Sequence, residues 1–328
     1  MSTFLKDLKL FTFWLYFRII LVSHTFDYCP VVQKKVGWRY KDKTMREITL
    51  EELLEAGCHF GHQVNRNNPK ANEFIFEARN NVHIINLEQT RDGLIESAQY
   101  IRDLAAKGGT IIVVGTKRQV QPVIKEEVTR ARENGAENLH FVASRWIGGV
   151  LTNFAEVSKN FKKLKEIEEI LSDKNSGYTK REKLLMEREK VKLMSLYEGI
   201  RDLKKIPDAL FVVDTHYEAT AVAEARRRNL PVVGMVDTNA DPTIIDYVIP
   251  SNDDAVGAVK LITSYVIDAW IEGQKEAATI AAKEKAAEEK KAQKKTDAEK
   301  KINAVQENTD KKPAVKKEEK KSTTKSKK

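Results

Sequence analysis

Between residues 45 and 273, short apolar runs alternate with amphipathic stretches. The runs are VHII (82–85), TIIVV (110–114), LHFV (139–142), ALFVV (209–213), VVGMV (232–236) and YVI (247–249). Most are rich in β-branched residues and continuous rather than alternating. That pattern predicts parallel strands covered on both faces. Helical spacing fills the gaps. Leu94, Ala98, Ile101 and Ala105 recur at intervals of four, three and four, and Val222, Ala223 and Arg226 continue a helix after His216. Ala255, Val259, Ile262, Val266 and Ala269 make a last helix, with Ser251 and Asp254 as its capping signal. The alternation predicts an α/β fold: a three-layer sandwich around a parallel, Rossmann-like or flavodoxin-like sheet with right-handed crossovers.

One segment breaks the rhythm. Residues 152–205 hold no strand-like run. Phe154, Val157, Phe161, Leu164, Ile167 and Leu171 recur every three or four positions, SDKNSGYTK interrupts, and Leu184, Val191, Leu196, Ile200 and Leu203 form a second stripe. Two helices of about 20 residues joined by a turn predict an inserted antiparallel coiled-coil hairpin. Its apolar stripes read as seam packing. Lys159, Lys162, Lys163 and Lys165 fall on the outer side, interleaved with Glu166, Glu168 and Glu169, so a solvated face and an RNA contact both remain open.

The ends differ from the middle. The net charge of +9 divides into +5 over residues 1–44, −4 over the middle and +8 over 274–328. A polyanionic partner is therefore met by local patches of the body and by the tails, not by a uniformly basic surface. Leu8 to Val22 is as apolar as a signal core, but short for a span and interrupted by Lys9 and Arg18. A membrane anchor, an added extension and translated upstream sequence compete. The clean segment MREITLEELLEAG, with Thr49 and Glu52 spaced as a capping box, favours Met45 as the start, so no membrane partner is expected. From about Lys275 the chain is Lys-, Ala- and Glu-rich and too poor in large apolar residues to form a core, which predicts a disordered basic tail. The domains expected are thus 1–44, a sandwich from 45–151 and 206–273, a hairpin at 152–205, and the tail. Two cysteines, Cys29 and Cys58, exclude a disulfide framework or a four-thiolate zinc site.

Candidate chemistry sits at the strand ends, where α/β sheets bind ligands. Gly115-Thr116-Lys117 follows TIIVV, but neither a phosphate-binding loop nor a dinucleotide fingerprint is spelled out. A tight turn with Lys117 and Arg118 exposed is expected. Asp214 and Asp237 end VVD and MVD, and with His216 they could hold Mg²⁺ or exchange protons; ordinary turn hydrogen bonding is the competing and preferred reading. His59 and His62 in CHFGH are spaced for a shared metal but lack further ligands in view. His83 and His140 lie within apolar runs, as core histidines do, and Ser144 lacks a nucleophile context. No catalytic residue, metal, cofactor or small-molecule substrate is therefore expected. The most distinctive stretch is RWIGGVLTN (145–153). Its Arg145 could pair a phosphate and its Trp146 pack on a sugar or base; alternatively Trp146 is buried and the glycines only turn the chain.

Eight ordered blocks carry a resemblance: EAGCHFGH, NPK at 68–70, VHIINLEQT, GTKRQ, RWIGGVLTN, IPDALFVVDTHYEATAVAEA, NLPVVGMVDTNADP and IPSNDDA. Over about 230 residues from Met45 to Gly273 the chain resembles the bacterial-type small-subunit ribosomal protein S2 family. It departs from the usual pattern at Asn67, Asn86, Gln89 and Glu198. The resemblance implies a non-enzymatic, ribosome-bound cytoplasmic protein that holds small-subunit rRNA and docks neighbouring ribosomal proteins, including the large one that captures mRNA. The RNA contacts expected are Arg66, Lys70, Lys117, Arg118, Arg145, Trp146, Asn153, Lys159, Lys162 and Lys163. The runner-up is a Rossmann-like enzyme binding a nucleotide or sugar phosphate.

Overall fold

The computed structural model describes residues 46–173 and 177–279. The Leu8–Val22 run, the start at Met45 and most of the basic tail lie outside these residues. Among the described residues no helix is long and apolar enough to cross a membrane. A short helix, α1 (Leu50–Glu55), opens the body directly after Thr49. Three strands follow, β1 (Phe60–Gln63), β2 (Ile75–Arg79) and β3 (Val82–Ile85), then α2 (Leu87–Ala106). The remaining order is β4 (Ile111–Val114), α3 (Gln121–Glu133), β5 (Leu139–Val142), α4 (Phe154–Ser172), α5 (Lys180–Tyr197), β6 (Ala209–Val212), α6 (Ala219–Arg227), β7 (Val232–Val236) and β8 (Tyr247–Pro250). A last helix, α7, runs over residues 256–279.

Five strands form one parallel sheet in the order β5-β4-β6-β7-β8. Numbered along the chain, the spatial order is second, first, third, fourth, fifth. This is the flavodoxin-like winding, whose reversal point lies between its first and third strands, here β4 and β6. The continuous apolar runs have their expected cause: every residue of β4, β6 and β7 is buried. Alternate side chains feed opposite layers. Ile112, Val114, Leu210 and Val212 pack with α4, α6 and the Tyr197–Leu203 turn. On the other side α2 lies against β8, and α7 joins α3 through Arg130–Asp268 and Lys260–Glu126 ion pairs.

The VHII run behaves differently from the other five. Its strand β3 is the centre of a separate antiparallel sheet, β1-β3-β2, and only half of it is buried. The cause is Asn80-Asn81, which joins β2 to β3 with both residues at positive φ, 52° and 64°. That two-residue turn demands left-handed backbone, which Asn tolerates, and it folds the chain back at once. A second correction concerns the turn leading into α7. Asn252, not Ser251, holds it, accepting from the Asp254 and Ala255 amides just before the helix.

Two helices, α4 and α5, lie within residues 152–205. Asn160 bonds the Tyr197 hydroxyl, and Lys163 and Glu168 pair with Glu189 and Lys190, so the partners run in opposite directions. Thr179 and Glu182 form a full capping box at the start of α5. Val157, Phe161, Leu164 and Ile167 of the first stripe are buried, the first two within the core cluster of the sheet. The second is covered only at its end: Ile200 and Leu203 are buried, whereas Leu184 and Val191 are 49% and 66% exposed.

Gly93 shows how tightly the layers fit. A Cβ there would lie 2.4 Å from the Val248 carbonyl oxygen in β8. Gly93→Ala gains about 1 kcal/mol of helix propensity but overpacks against backbone at a cost of about 3 kcal/mol. A net loss of about 2 kcal/mol should appear as a lower urea midpoint.

Candidate functional site

The carboxyl ends of the parallel strands converge with β1. Lys117, two residues beyond Gly115 at the end of β4, places its ammonium 2.7 Å from Asp214, 2.8 Å from Asp253 and 2.7 Å from Asp254. The turn therefore does not expose Lys117 as its sequence suggested; only Arg118 faces solvent there. Burial works against the charge, but Asp253, Asp214 and Asp254 outweigh it and hold the ammonium well above the usual lysine range. His62 from β1 closes the cluster, with Nδ1 3.0 Å from Asp237 and Nε2 3.5 Å from Asp254. The Asp237 contact raises its pKa against burial. Burial, followed by Asp214 and Asp237, pushes the Asp253 carboxyl up to about 7. Glu218 is also raised, chiefly by burial, and accepts from the Thr116 hydroxyl.

This crevice is a poor phosphate site. Lys117 and His62 face four carboxylates: Asp214, Asp237, Asp253 and Asp254. The space a phosphate loop would need above Gly115 is filled by the protein itself, since a Cβ there would lie 2.4 Å from Ile124 and 2.7 Å from Val120 of the α3 start. Gly115 admits the helix rather than a ligand. The preferred reading of the two aspartates holds in part. Asp214 caps the Tyr217 amide and Asp237 the Thr238 amide, while both also serve the ion cluster. His59 stacks on Phe60 and takes no part. Instead, ligand atoms of His62, Asp253 and Asp254 lie within 4.8 Å of one another and could hold a divalent cation, although Lys117 already pairs with both carboxylates. Burial pushes the Cys58 thiol up to about 11. A cavity of about 320 Å³ opens beside the cluster, lined in part by His62, Arg66 and Asp254.

A second buried charge organises the RWIGGVLTN loop. Glu224, on the inner face of α6, accepts from the Gly149 amide at 2.7 Å, the Leu151 amide at 3.2 Å and the Thr152 amide at 3.3 Å. The Thr152 hydroxyl and the Trp146 indole N–H complete the set, at 3.2 and 3.4 Å. Arg228 donates to the Leu151 and Thr152 carbonyls, at 3.0 and 2.7 Å. Trp146 is therefore an anchor of the core, 7% exposed, and its face is not free to stack on RNA. The buried alternative for this residue holds. Gly149 needs its positive φ of 98° to complete the turn.

The remaining expected contacts fall on separate elements. Arg66, Arg118, Arg145 and Lys162 are exposed and have no hydrogen-bond or ion-pair partner among the described residues. Lys70 is exposed but pairs with Asp241 at 2.6 Å. Lys159 pairs with Glu156 on its own helix, and Lys163 with Glu189 across to α5. Asn153 is exposed and caps nothing with its side chain. Only Arg66 and Lys117 converge, both acting on Asp254. Sequence reasoning missed Glu224 and the His62–Asp253–Asp254 grouping. Nothing in local spacing marks either, because each is assembled from distant segments.

Glu224→Ala removes the shared acceptor and leaves buried amides unpaired. A loss of about 3 kcal/mol is expected in urea unfolding, with faster hydrogen exchange at the Gly149 and Leu151 amides. The crevice makes a pH prediction. The folded carboxyl of Asp253 takes up its proton near pH 7, and the unfolded one only near 3.8, so stability rises as pH falls through that window. His62 acts in the same direction, its raised folded pKa giving stability that is lost as pH rises through it. The urea midpoint should be higher at pH 6 than at pH 8, and Asp253→Asn should reduce the difference.

The flavodoxin-like sheet, the ion-filled strand ends and the anchored RWIGGVLTN loop all lie within residues 53–273, and over that span the chain matches the family model described as ribosomal protein S2. The match covers more than half of the 328 residues. The chain therefore belongs to the ribosomal protein S2 family, whose members are structural components of the small ribosomal subunit.

Proposed function

We propose that this protein is a non-catalytic scaffold that binds small-subunit rRNA through separate exposed cations and docks neighbouring ribosomal proteins, among them the large mRNA-capturing one. The observation that carries this reading is a contrast in charge. Inside, Lys117 is paired with three carboxylates; outside, Arg118, Arg145 and Lys162 make no hydrogen bond or ion pair among the described residues, and Arg66 acts only at a distance on Asp254. Exposed guanidinium and ammonium groups of this kind suit phosphates, which they pair without reading sequence. Lys70, Lys159 and Lys163 serve more weakly, since a carboxylate must first be displaced. Asn153 adds a neutral donor at the loop's end. Trp146 and Lys117 support the surface from within.

In this reading residues 45–151 and 206–273 form the α/β body, 152–205 a coiled-coil arm reaching toward a neighbour, and 274–328 a basic tail adding salt-sensitive attraction. The protein works ribosome-bound in the cytoplasm. The acidic crevice disfavours the alternative, a nucleotide- or sugar-phosphate-binding enzyme, because a phosphate would approach carboxylates and find no glycine-rich cradle.

Association of the full chain with a small-subunit rRNA transcript, followed against KCl concentration, tests the proposal. Arg145→Ala with Lys162→Ala should lower the slope of log K against log salt by about 1.5, roughly one contact each. An unaltered slope would remove both residues from the interface.

A further inference from the structure

The outer face of α6 is a second cationic surface that none of the expected contacts includes. The helix buries Ala221, Val222, Glu224 and Ala225 and exposes Ala219, Thr220, Ala223, Arg226 and Arg227. The side chains leading up to the arginines on that face are small, so nothing bulky stands in front of them. The two acids of this segment point inward, Glu218 to Thr116 and Glu224 to the RWIGGVLTN loop. Arg228 is held by the Leu151 and Thr152 carbonyls. Arg226 and Arg227 are left exposed, with no hydrogen-bond or ion-pair partner among the described residues.

Two adjacent unpaired guanidinium groups have a bland use, since cations in a last turn favour the helix dipole. The tie to the neighbouring loop argues for more. Glu224 sits two residues before Arg226 and accepts hydrogen bonds from the loop that begins at the exposed Arg145. One buried carboxylate thus joins the loop that starts at Arg145 to the helix that carries Arg226 and Arg227. Arginine pairs phosphate oxygens with two parallel N–H bonds, and a rigid set of such forks matches successive phosphates of a strand.

We propose that Arg226 and Arg227, on the helix that Glu224 ties to the Arg145 loop, form a binding site for the phosphodiester backbone of small-subunit rRNA, with Glu224 as the positioning residue. The inference rests on the rRNA-binding reading above and assigns a specific site within it.

The test uses the full chain and a small-subunit rRNA transcript. Arg226→Ala with Arg227→Ala should lower the salt slope by about 1.5, so a fourfold rise in KCl weakens binding about eightfold less than in the unaltered protein. Arg226→Lys with Arg227→Lys keeps the charge, and most of the slope should return. Thermal melting should be unchanged in the lysine variant and only slightly lowered in the alanine one, as neither side chain is packed and only the favourable helix-dipole contact is lost. A double-alanine slope equal to that of the unaltered chain overturns this site and leaves the general reading standing. So does a lysine variant that behaves like the alanine one, because charge would then not be the cause. An unaltered chain with no salt-dependent binding overturns the site and the reading together.

Discussion

The Lys117 ammonium sits among Asp214, Asp253 and Asp254, and most of what is distinctive about this fold follows from that contact. It ties the end of β4 to the ends of β6 and β8. His62, bonded to Asp237 and reaching Asp254, extends the same network to the small antiparallel sheet. Removing the lysine would leave the buried Asp214 and Asp253 carboxylates facing each other in a poorly hydrated place, where an uncompensated charge costs about 3–5 kcal/mol. In flavodoxin-like sheets the crevice at this reversal point is where ligands gather. Here the protein's own side chains occupy it, and their charge is of the wrong sign for a phosphate.

The second buried charge works on the same principle with a different outcome. Glu224 is saturated by donors from one loop, and Arg228 holds that loop's carbonyls. The loop lacks regular structure, yet each amide from Gly149 to Asn153 has a hydrogen-bond acceptor. Rigidity of this kind lets Arg145 stay exposed in one place without a local carboxylate to restrain it. A scaffold needs such fixed cations more than it needs a cavity. Both clusters keep their charges inside and leave the surface arginines available to a partner.

The sequence made much of the fold legible because continuous apolar runs have one common cause, strands buried on both faces. Five of six runs joined the parallel sheet. The sixth, VHII, had the same composition but a different neighbour: Asn80-Asn81 turns the chain at once into an antiparallel partner. The stripe in α4 was legible, while the one in α5 was partly illusory, since Leu184 and Val191 hold helical spacing yet face solvent. The site was harder to read. A lysine after a strand looks like a surface lysine unless the carboxylates of residues 214, 253 and 254 are known to meet it. Trp146 and Glu224 lie 78 residues apart. The family blocks located both segments correctly, but only their juxtaposition tells a buried anchor from an exposed contact.

Sucrose-gradient sedimentation of lysate from growing cells, with the chain detected in each fraction, tests the central claim most directly. The account predicts that at low salt the chain travels with the small subunit and is released as salt rises, because phosphate contacts weaken with ionic strength. A chain that remains at the top of the gradient, apart from ribosomal particles, would contradict it.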